Sequence, residues 1–526
     1  MGPSRAIWVL PTVLFHGILI TLCSGMMLAP NMTLLVYGLQ GHAFLQGLSN
    51  TAPGFNLGVR DAMKHFAGSF QLSLVYIPNN NMLICVDTGA YFDLVSQYYY
   101  TSGIAAGSRN SSIAIIVPGC DESTTLPQLG REWNILVLST GPTFSNLRDR
   151  TLFPTTVALG AIQYEIYGVF LVRLCAKFNW TSVALIYDIS GTRVAFNLIV
   201  ASRIQSYLRR SGSVLQLHSF PLDCRVGRKE VDYGEILTEV TGVSRIVLIS
   251  VPHPMTRNFL VKSSELGWNH GEITWISLDV AQGPCGSLAW QMNDGSDETA
   301  LSALRSVFKL EICTRALNDA FYALAKEFRT QSERLYNVTF PLNSSASNEF
   351  AVSAYVAVTT LALVLNESLN ELRHFGNGYE ITQRFLNRTF HDSAFGDVYV
   401  DAAGERQLPM CLSDFNLESR TFQEVISLLR GQSLDGLQSV KNRSIDWATP
   451  DGQPTRNEPF CGFKNENPAC RIQGHIRNVA ATVTTLSVCL ILAGTILLHR
   501  TVARNPNWWK LEQMEQLEQM DQLEQL

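Results

Sequence analysis

The chain has 526 residues, 46% of them hydrophobic and 16% charged, so it is long enough for several domains and too apolar for a disordered polymer. Forty basic against 45 acidic residues leave a formal net charge of -5, and no basic, aromatic-interleaved block disturbs that balance, so no nucleic-acid partner is expected. The patterns HExxH, GxxxxGK[ST], CxxC and GxSxG are all missing, and no two of the ten histidines lie four apart, so no catalytic residue and no metal site is expected.

The chain opens with Arg5, an apolar stretch from Ala6 to Leu22 and small residues at Cys23, Ser24 and Gly25. This is the pattern of a signal peptide, residues 1–25. Strand and helix patterns then alternate. Gly58 to Phe66 reads as a helix, FQLSLVYI as a strand, Tyr91 to Ser102 as a helix, and SSIAIIV and NILVLST as strands. A second alternation begins at WTSVALIYD (Trp180 to Asp188). It continues through a helix over Gly191 to Arg210, SVLQLHSF, a helix over Tyr233 to Val240, SRIVLISV, a helix over Thr256 to Leu266, and ITWISLD. Near-continuous apolar strands between helices indicate parallel sheets covered on both faces. Two such alternations of about 130 residues each predict an α/β fold of two lobes, each a doubly wound parallel sheet, with ligand at the strand ends between them.

After Cys285 the pattern predicts helices over Leu301 to Phe328 and Phe350 to His374, then strands within GDVYVDAAGERQLPMCLSDFN. Chains of this sort cross between lobes several times, so lobe membership is not expected to follow sequence order. Residues 449–478 are a stalk, rich in Pro, Asn, Gly and Glu up to Pro468. Val479 to Leu498 holds no charge over residues 479–498, matching the roughly 20 residues that cross a bilayer, and predicts one transmembrane helix. Residues 499–526 are then a short cytoplasmic tail, with Trp508 and Trp509 as an interfacial anchor beside Lys510. In LEQMEQLEQMDQLEQL the apolar residues recur at every third position, so they spiral round a helix; a weakly helical extension is expected, not a coiled coil.

Without Cys23 and Cys489, nine cysteines remain in the part placed outside the cell, where disulfides are the default and an odd count leaves one thiol over. Asn31, Asn110, Asn179, Asn337, Asn343, Asn366, Asn387 and Asn442 each begin an Asn-X-Ser/Thr sequon, as expected of a secreted surface on which most carry sugar.

CGFKNENPAC, Cys461 to Cys470, closely resembles the juxtamembrane hairpin of natriuretic peptide receptors, the membrane guanylate cyclases. ITQRFLNRTF followed by GDVYVDAAGERQLPMCLSDFN, the PGC at Pro118 to Cys120 with ICVDTGA upstream, and FNWTSVALIYD are similar to stretches of the same family. The resemblance implies a two-lobed, type I periplasmic-binding-protein-like ectodomain, residues 26–448, that binds an extracellular peptide hormone as a homodimer or paired with a related receptor. It also implies a disulfide between Cys85 and Cys120, and one between Cys461 and Cys470. Pairs Cys175 with Cys224 and Cys285 with Cys313 complete the expected set, which leaves Cys411 a buried free thiol in preference to an inter-subunit link.

The resemblance places Asp87 opposite a basic hormone ring; the alternative for Asp87 is a helix N-cap. It places a chloride ion on the backbone N–H groups of Gly119 and Cys120, although the family's supporting Ser has no counterpart in IPNNNML. Tyr98, Tyr99 and Tyr100 offer rigid contact area for a peptide or a dimer partner, with ordinary core tyrosines as the alternative, and Asp279 ends a strand near the expected cleft. Apart from the chloride, no cofactor is expected. The family's signalling members continue into kinase-like and cyclase domains, so this chain is expected to capture, clear or sequester a peptide at the plasma membrane without catalysis of its own. A truncated form of a receptor cyclase and a receptor for an amino-acid-like ligand are the alternatives.

Overall fold

The structure is a computed structural model. It describes residues 29–504 and 514–520, except 41–45, 78, 84, 103–110, 118–123, 142–144, 161–163, 191–195, 225–230, 269–270, 279–289, 314–317, 339–347, 370–375, 429–435, 465 and 519. The signal peptide, Trp508 and Trp509, and the pairing of Cys85 with Cys120 lie outside the described residues.

The chain starts with β1 (Asn31–Tyr37), α1 (Leu48–His65), β2 (Gln71–Ile77), a 3-10 turn over Cys85–Ala90, α2 (Asp93–Thr101), β3 (Ser111–Val117), α3 (Thr125–Trp133), β4 (Leu136–Ser139), a second 3-10 turn over Ser145–Arg148, and β5 (Thr156–Ala158). These strands form an all-parallel sheet in the order β2-β1-β3-β4-β5. Successive side chains of β1 feed two different cores: Met32, Leu34 and Val36 pack on one face, Leu35 and Tyr37 on the other. Double coverage is why the strand reads as an unbroken apolar run.

The second lobe follows as α4 (Tyr164–Phe178), β6 (Ser182–Asp188), α5 (Phe196–Ser211), β7 (Gln216–Leu222), α6 (Tyr233–Thr241), β8 (Ile246–Ser250), α7 (His253–Glu265), β9 (Thr274–Leu278), α8 (Asp297–Ala303) and β10 (Val307–Ile312). The chain then returns to the first lobe with α9 (Asp319–Tyr336), α10 (Glu349–Ser368), α11 (Gly378–Gln383) and a small antiparallel sheet of β11 (Arg388–Asp392), β12 (Gly396–Val400) and β13 (Arg406–Gln407). It crosses a third time to add β14 (Met410–Asn416), β15 (Thr421–Leu428) and β16 (Leu437–Ser439). The second sheet thus runs β16-β15-β14-β10-β9-β8-β6-β7, parallel from β6 to β10 and antiparallel beyond.

The helix expected over Leu301 to Phe328 is interrupted by β10, VFKLEI, a buried strand. Its two charges hide it from an apolar-run reading. Within the sheet Lys309 Nζ lies 2.7 Å from Glu311 Oε2, and Ser413 Oγ donates to Glu311 Oε1 at 2.9 Å, so the charges are buried as a paired, hydrogen-bonded set. In α1, by contrast, Pro53 and Gly54 conceal a helix that starts ten residues before Gly58. Gly54 and Gly58 let α10 come close: a Cβ at Gly54 would sit 2.2 Å from the Ala351 carbonyl oxygen, and one at Gly58 2.9 Å from Val358 Cβ. Helix α10 is apolar all round because the first lobe buries it on every side.

Three cysteine assignments change. Cys313 is bonded to Cys411, not to Cys285, which lies outside the described residues, and Cys411 is therefore neither a free thiol nor an inter-subunit link. The register decides this. Strands β10 and β14 are antiparallel with Ile312 opposite Met410, and Cys313 N–H donates to the Pro409 carbonyl at 3.0 Å, which leaves the two Cα atoms 4.8 Å apart. Cys175 and Cys224 are unpaired. Cys175 is buried in the core that holds Val183 and Leu185, whereas Cys224 packs against the core that holds Ala184 and Ile186, so the sheet separates them.

Residues 445–457, part of which reads as stalk, form a strap along the edge of the second sheet where its parallel strands begin. Trp447 meets Phe178 and Phe308 at ring separations of 5.0 and 5.3 Å. Trp180 Nε1 donates to the Thr455 carbonyl at 2.8 Å, Thr274 Oγ1 and Thr455 Oγ1 are 2.6 Å apart, and Asn457 Oδ1 accepts from Thr181 N–H at 2.7 Å. Asp446 N–H donates to Asp414 Oδ2 at 2.7 Å, while the Asp446 carboxylate holds both arms of Arg305. The other oxygen of Asp414 is buried without a partner. Burial pushes the Asp414 carboxyl up to about 6, against the hydrogen bond from Asp446 N–H, which favours the charged form.

The segment Glu458–Leu526 is a separate compact unit. Cys461 and Cys470 are bonded across a separation of nine residues, as expected. Helix α12 (Pro468–Arg504) follows, and its portion Ala481–Arg504 is long and apolar enough to cross a membrane with none of it buried in the protein. Met514 to Glu518 in the tail is helical and exposed.

Two outcomes test these contacts. Replacing Cys313 and Cys411 together by Ser opens a loop of 98 residues and is expected to cost about 2–5 kcal/mol in chemical denaturation. Because folded Asp414 titrates near 6, above the roughly 3.9 of an unfolded Asp, the native state holds the extra proton and stability through this group rises as pH falls from about 7 to about 4. Asp414→Asn keeps the acceptor for Asp446 N–H. It is expected to stabilise the protein by on the order of 1–3 kcal/mol at pH 7.5 and to make no difference below about pH 4, read from paired melts across that range.

Candidate functional site

Most described site candidates fall in the connection between β2 and β3. Asp87 lies in the 3-10 turn over Cys85–Ala90, half-buried, and its Oδ2 accepts from Leu83 N–H at 2.9 Å. The carboxylate therefore ties its own turn together. It is not the N-cap of the next helix, because α2 begins at Asp93 behind Phe92 and has no side-chain cap bond. Gly119, Cys120 and Asp279 lie outside the described residues.

The three consecutive tyrosines of α2 divide between core and surface, since successive helix positions are about 100° apart. Tyr98 and Tyr99 pack against the core that contains Tyr37, Val95 and Ile113. Tyr99 stacks on Trp133, the last residue of α3, with ring centroids 4.2 Å apart and planes 14° apart. Burial raises the Tyr99 hydroxyl above its ordinary range, with Tyr100 adding to it. Tyr100 is 63% exposed and stands edge-on, 5.1 Å from Tyr99 and 5.9 Å from Trp133. Tyr99 and Trp133 thus brace an outward tyrosine whose position is fixed before any partner arrives, an arrangement suited to protein or peptide contact.

A second cluster sits in the first lobe, beside the end of β5. Arg148, in the 3-10 turn before β5, reaches Asp401 at 3.0 Å and also pairs with Glu405, both in the loop between β12 and β13. Ala158 N–H donates to the Gly404 carbonyl at 2.8 Å, so the end of β5 and the β12–β13 loop run side by side. Gly404 has φ +77°, and a Cβ there would lie 3.0 Å from the Arg150 guanidinium and 3.2 Å from the Thr156 carbonyl oxygen. Burial pushes the Glu405 carboxyl up, with Arg148 acting in the other direction. Sequence reasoning missed Arg148, although AAGERQ, which supplies its partner, stands inside a stretch on which the family resemblance rests. Among the described residues no group of three His, Cys, Asp or Glu is placed to hold a metal ion.

The model of the receptor family ligand binding region matches residues 92–411, from the start of α2 to the second residue of β14, and so takes in all three crossings between the lobes. The chain belongs to this receptor family. Among curated proteins it is similar to the atrial natriuretic peptide receptor 2 of Anguilla japonica, 23% identical over 400 residues that cover 74% of this chain and 36% of the relative. The human protein of the same name is 23% identical over 68% of this chain and 34% of its own length. The receptor-type guanylate cyclase gcy-28 of Caenorhabditis elegans is 24% identical over 54% of this chain and 22% of its own length. This receptor chain therefore spans about a third or less of the relatives it matches, and the ligand-binding region is the part they share. Its lobes and crossings are those of a ligand-binding receptor related to natriuretic peptide receptors and receptor guanylate cyclases.

The braced tyrosine gives a direct test. Tyr100→Ala removes an exposed ring and is expected to change stability by no more than about 0.5 kcal/mol, while weakening capture of a protein or peptide partner by about tenfold, on the order of 1.4 kcal/mol. Trp133→Ala, which removes the brace, is expected to lower both. Thermal melts and surface-binding titrations of the two variants separate these effects.

Proposed function

We propose that the chain is a single-pass receptor of the plasma membrane, with residues 26–478 outside the cell, and that it captures an extracellular peptide of natriuretic type. In this reading it does no catalysis itself and acts by clearing or sequestering the peptide, or as one subunit of a pair. The observation that carries the proposal is the family match across both lobes and their crossings, in a chain whose relatives are named natriuretic peptide receptors. Two features support it. The portion Ala481–Arg504 of α12 leaves its apolar residues uncovered, as a membrane helix does. Tyr100, with Tyr99 and Trp133 behind it, offers outward aromatic contact area of the sort that holds a peptide more readily than an amino acid.

Cells expressing the full chain are expected to bind labelled natriuretic-type peptide at their surface and take it inside, with no rise in cyclic GMP above that of untransfected cells. Unlabelled peptide should displace the label and free amino acids should not. Displacement by amino acids alone would sink the peptide reading. A peptide-dependent rise in cyclic GMP would instead favour a role as part of a cyclase.

A further inference from the structure

Six of the eight sequon asparagines lie among the described residues, and they fall into two physical groups. Asn179, Asn337, Asn387 and Asn442 are all exposed and all have positive φ, between 52° and 62°. Of seven such non-glycine residues among those described, these are four. The left-handed conformation is where a chain reverses, and Asn adopts it at small cost. Each of these amides is thus carried at the apex of a turn: Asn179 after α4, Asn337 as the C-cap of α9, Asn387 before β11 and Asn442 after β16.

Asn31 and Asn366 are built differently. Asn31 opens β1, a strand hydrogen-bonded on both sides by β2 and β3, and its Oδ1 is buried. Thr33, the sequon's hydroxyl residue, is buried and lies 3.2 Å from Ser73 Oγ. Asn366 is half-buried within the last turn of α10, and its sequon Ser368 is fully buried, with Oγ donating to the Val364 carbonyl. A branched sugar on either amide would have to fit inside a packed lobe.

We propose that Asn179, Asn337, Asn387 and Asn442 carry N-linked glycans and that Asn31 and Asn366 do not. The proposal rests on the extracellular placement of the lobes given above. Its consequence reaches beyond occupancy. Strands β14, β15 and β16 alternate in direction from β10, so the end of β16 lies at the same edge of the second sheet as the start of β6. Asn442 follows β16, and Asn179 stands between Phe178 and Trp180, both of which pack on Trp447 of the strap. Two sugars therefore flank the strap, making this edge a glycan-covered face and leaving a protein partner to dock elsewhere.

The test is peptide mapping of the full chain expressed in a mammalian secretory line, after enzymatic deglycosylation in heavy-oxygen water, which leaves a labelled Asp wherever a sugar was attached. Label at Asn179, Asn337, Asn387 and Asn442, with none at Asn31 or Asn366, is the expected result. Substantial label at Asn31 or Asn366, or its absence from either Asn179 or Asn442 while other sites are labelled, overturns the assignment but leaves the extracellular reading intact. No label anywhere overturns both. Single Asn→Gln variants give a second readout: gel mobility should increase for Asn179→Gln and Asn442→Gln and stay unchanged for Asn31→Gln and Asn366→Gln.

Discussion

One pair of strands holds the two-lobed structure together. Strand β10 ends the parallel part of the second sheet, and its only cover on the open side is β14, which the chain supplies after making α9, α10, α11 and the small sheet of the first lobe. The second lobe completes its sheet only with a strand that lies beyond the whole of the returning first-lobe segment, so the pairing closes a long loop. Lys309 and Glu311 sharpen this dependence, because without β14 a buried ion pair loses the hydroxyl of Ser413 and its shield from water. Cys313 with Cys411 then fixes the return covalently, at the point where the second and third crossings leave the same sheet. Pairings of such long sequence separation are slow to form, and a closed loop removes much of the entropy that the open chain would keep.

The chain that makes this return also completes a second cluster within the first lobe. Once β12 and β13 are in position, Asp401 and Glu405 face Arg148, and the end of β5 pairs with the β12–β13 loop through Ala158. These contacts lie within the first lobe: they hold the segment that leads into the first crossing against the loop that precedes the third, with Gly404 in a left-handed conformation beside Arg150 and the Thr156 carbonyl. The aromatic surface at Tyr100 belongs wholly to the first lobe, and the strap wholly to the second.

The sequence made most of this legible where hydrophobic pattern alone decides structure. Strands β3, β6, β8 and β9 are apolar because both faces of each sheet are covered, and their positions follow from that. Strand β10 escaped because its two charges satisfy each other in three dimensions, which no local pattern records. The start of α1 escaped because Pro53 and Gly54 look like a turn, whereas the glycines serve the contact with α10. Cys313 and Cys411 escaped for a related reason: 98 residues separate them, and their proximity is a property of strand register. At the candidate site the tyrosine run was visible, but Trp133, which arrives from another helix and decides which tyrosine is held outward, was not.

Two helices show how far composition can go before context must take over. Both α10 and the segment Ala481–Arg504 are long and apolar enough to cross a membrane. In α10, Gly54 and Gly58 of the partner helix admit close backbone approach, Tyr355 meets Phe328 and Phe395, and apolar neighbours surround it. In Ala481–Arg504 no such partner exists among the described residues, and the hydroxyls of Ser487, Thr495 and Thr501 turn back to carbonyls of their own helix. A helix that satisfies its polar groups internally and hides none of its leucines matches the membrane placement proposed above, since an apolar surrounding would cover the patch that water leaves exposed. The difference between core and anchor lies in what the rest of the chain brings alongside.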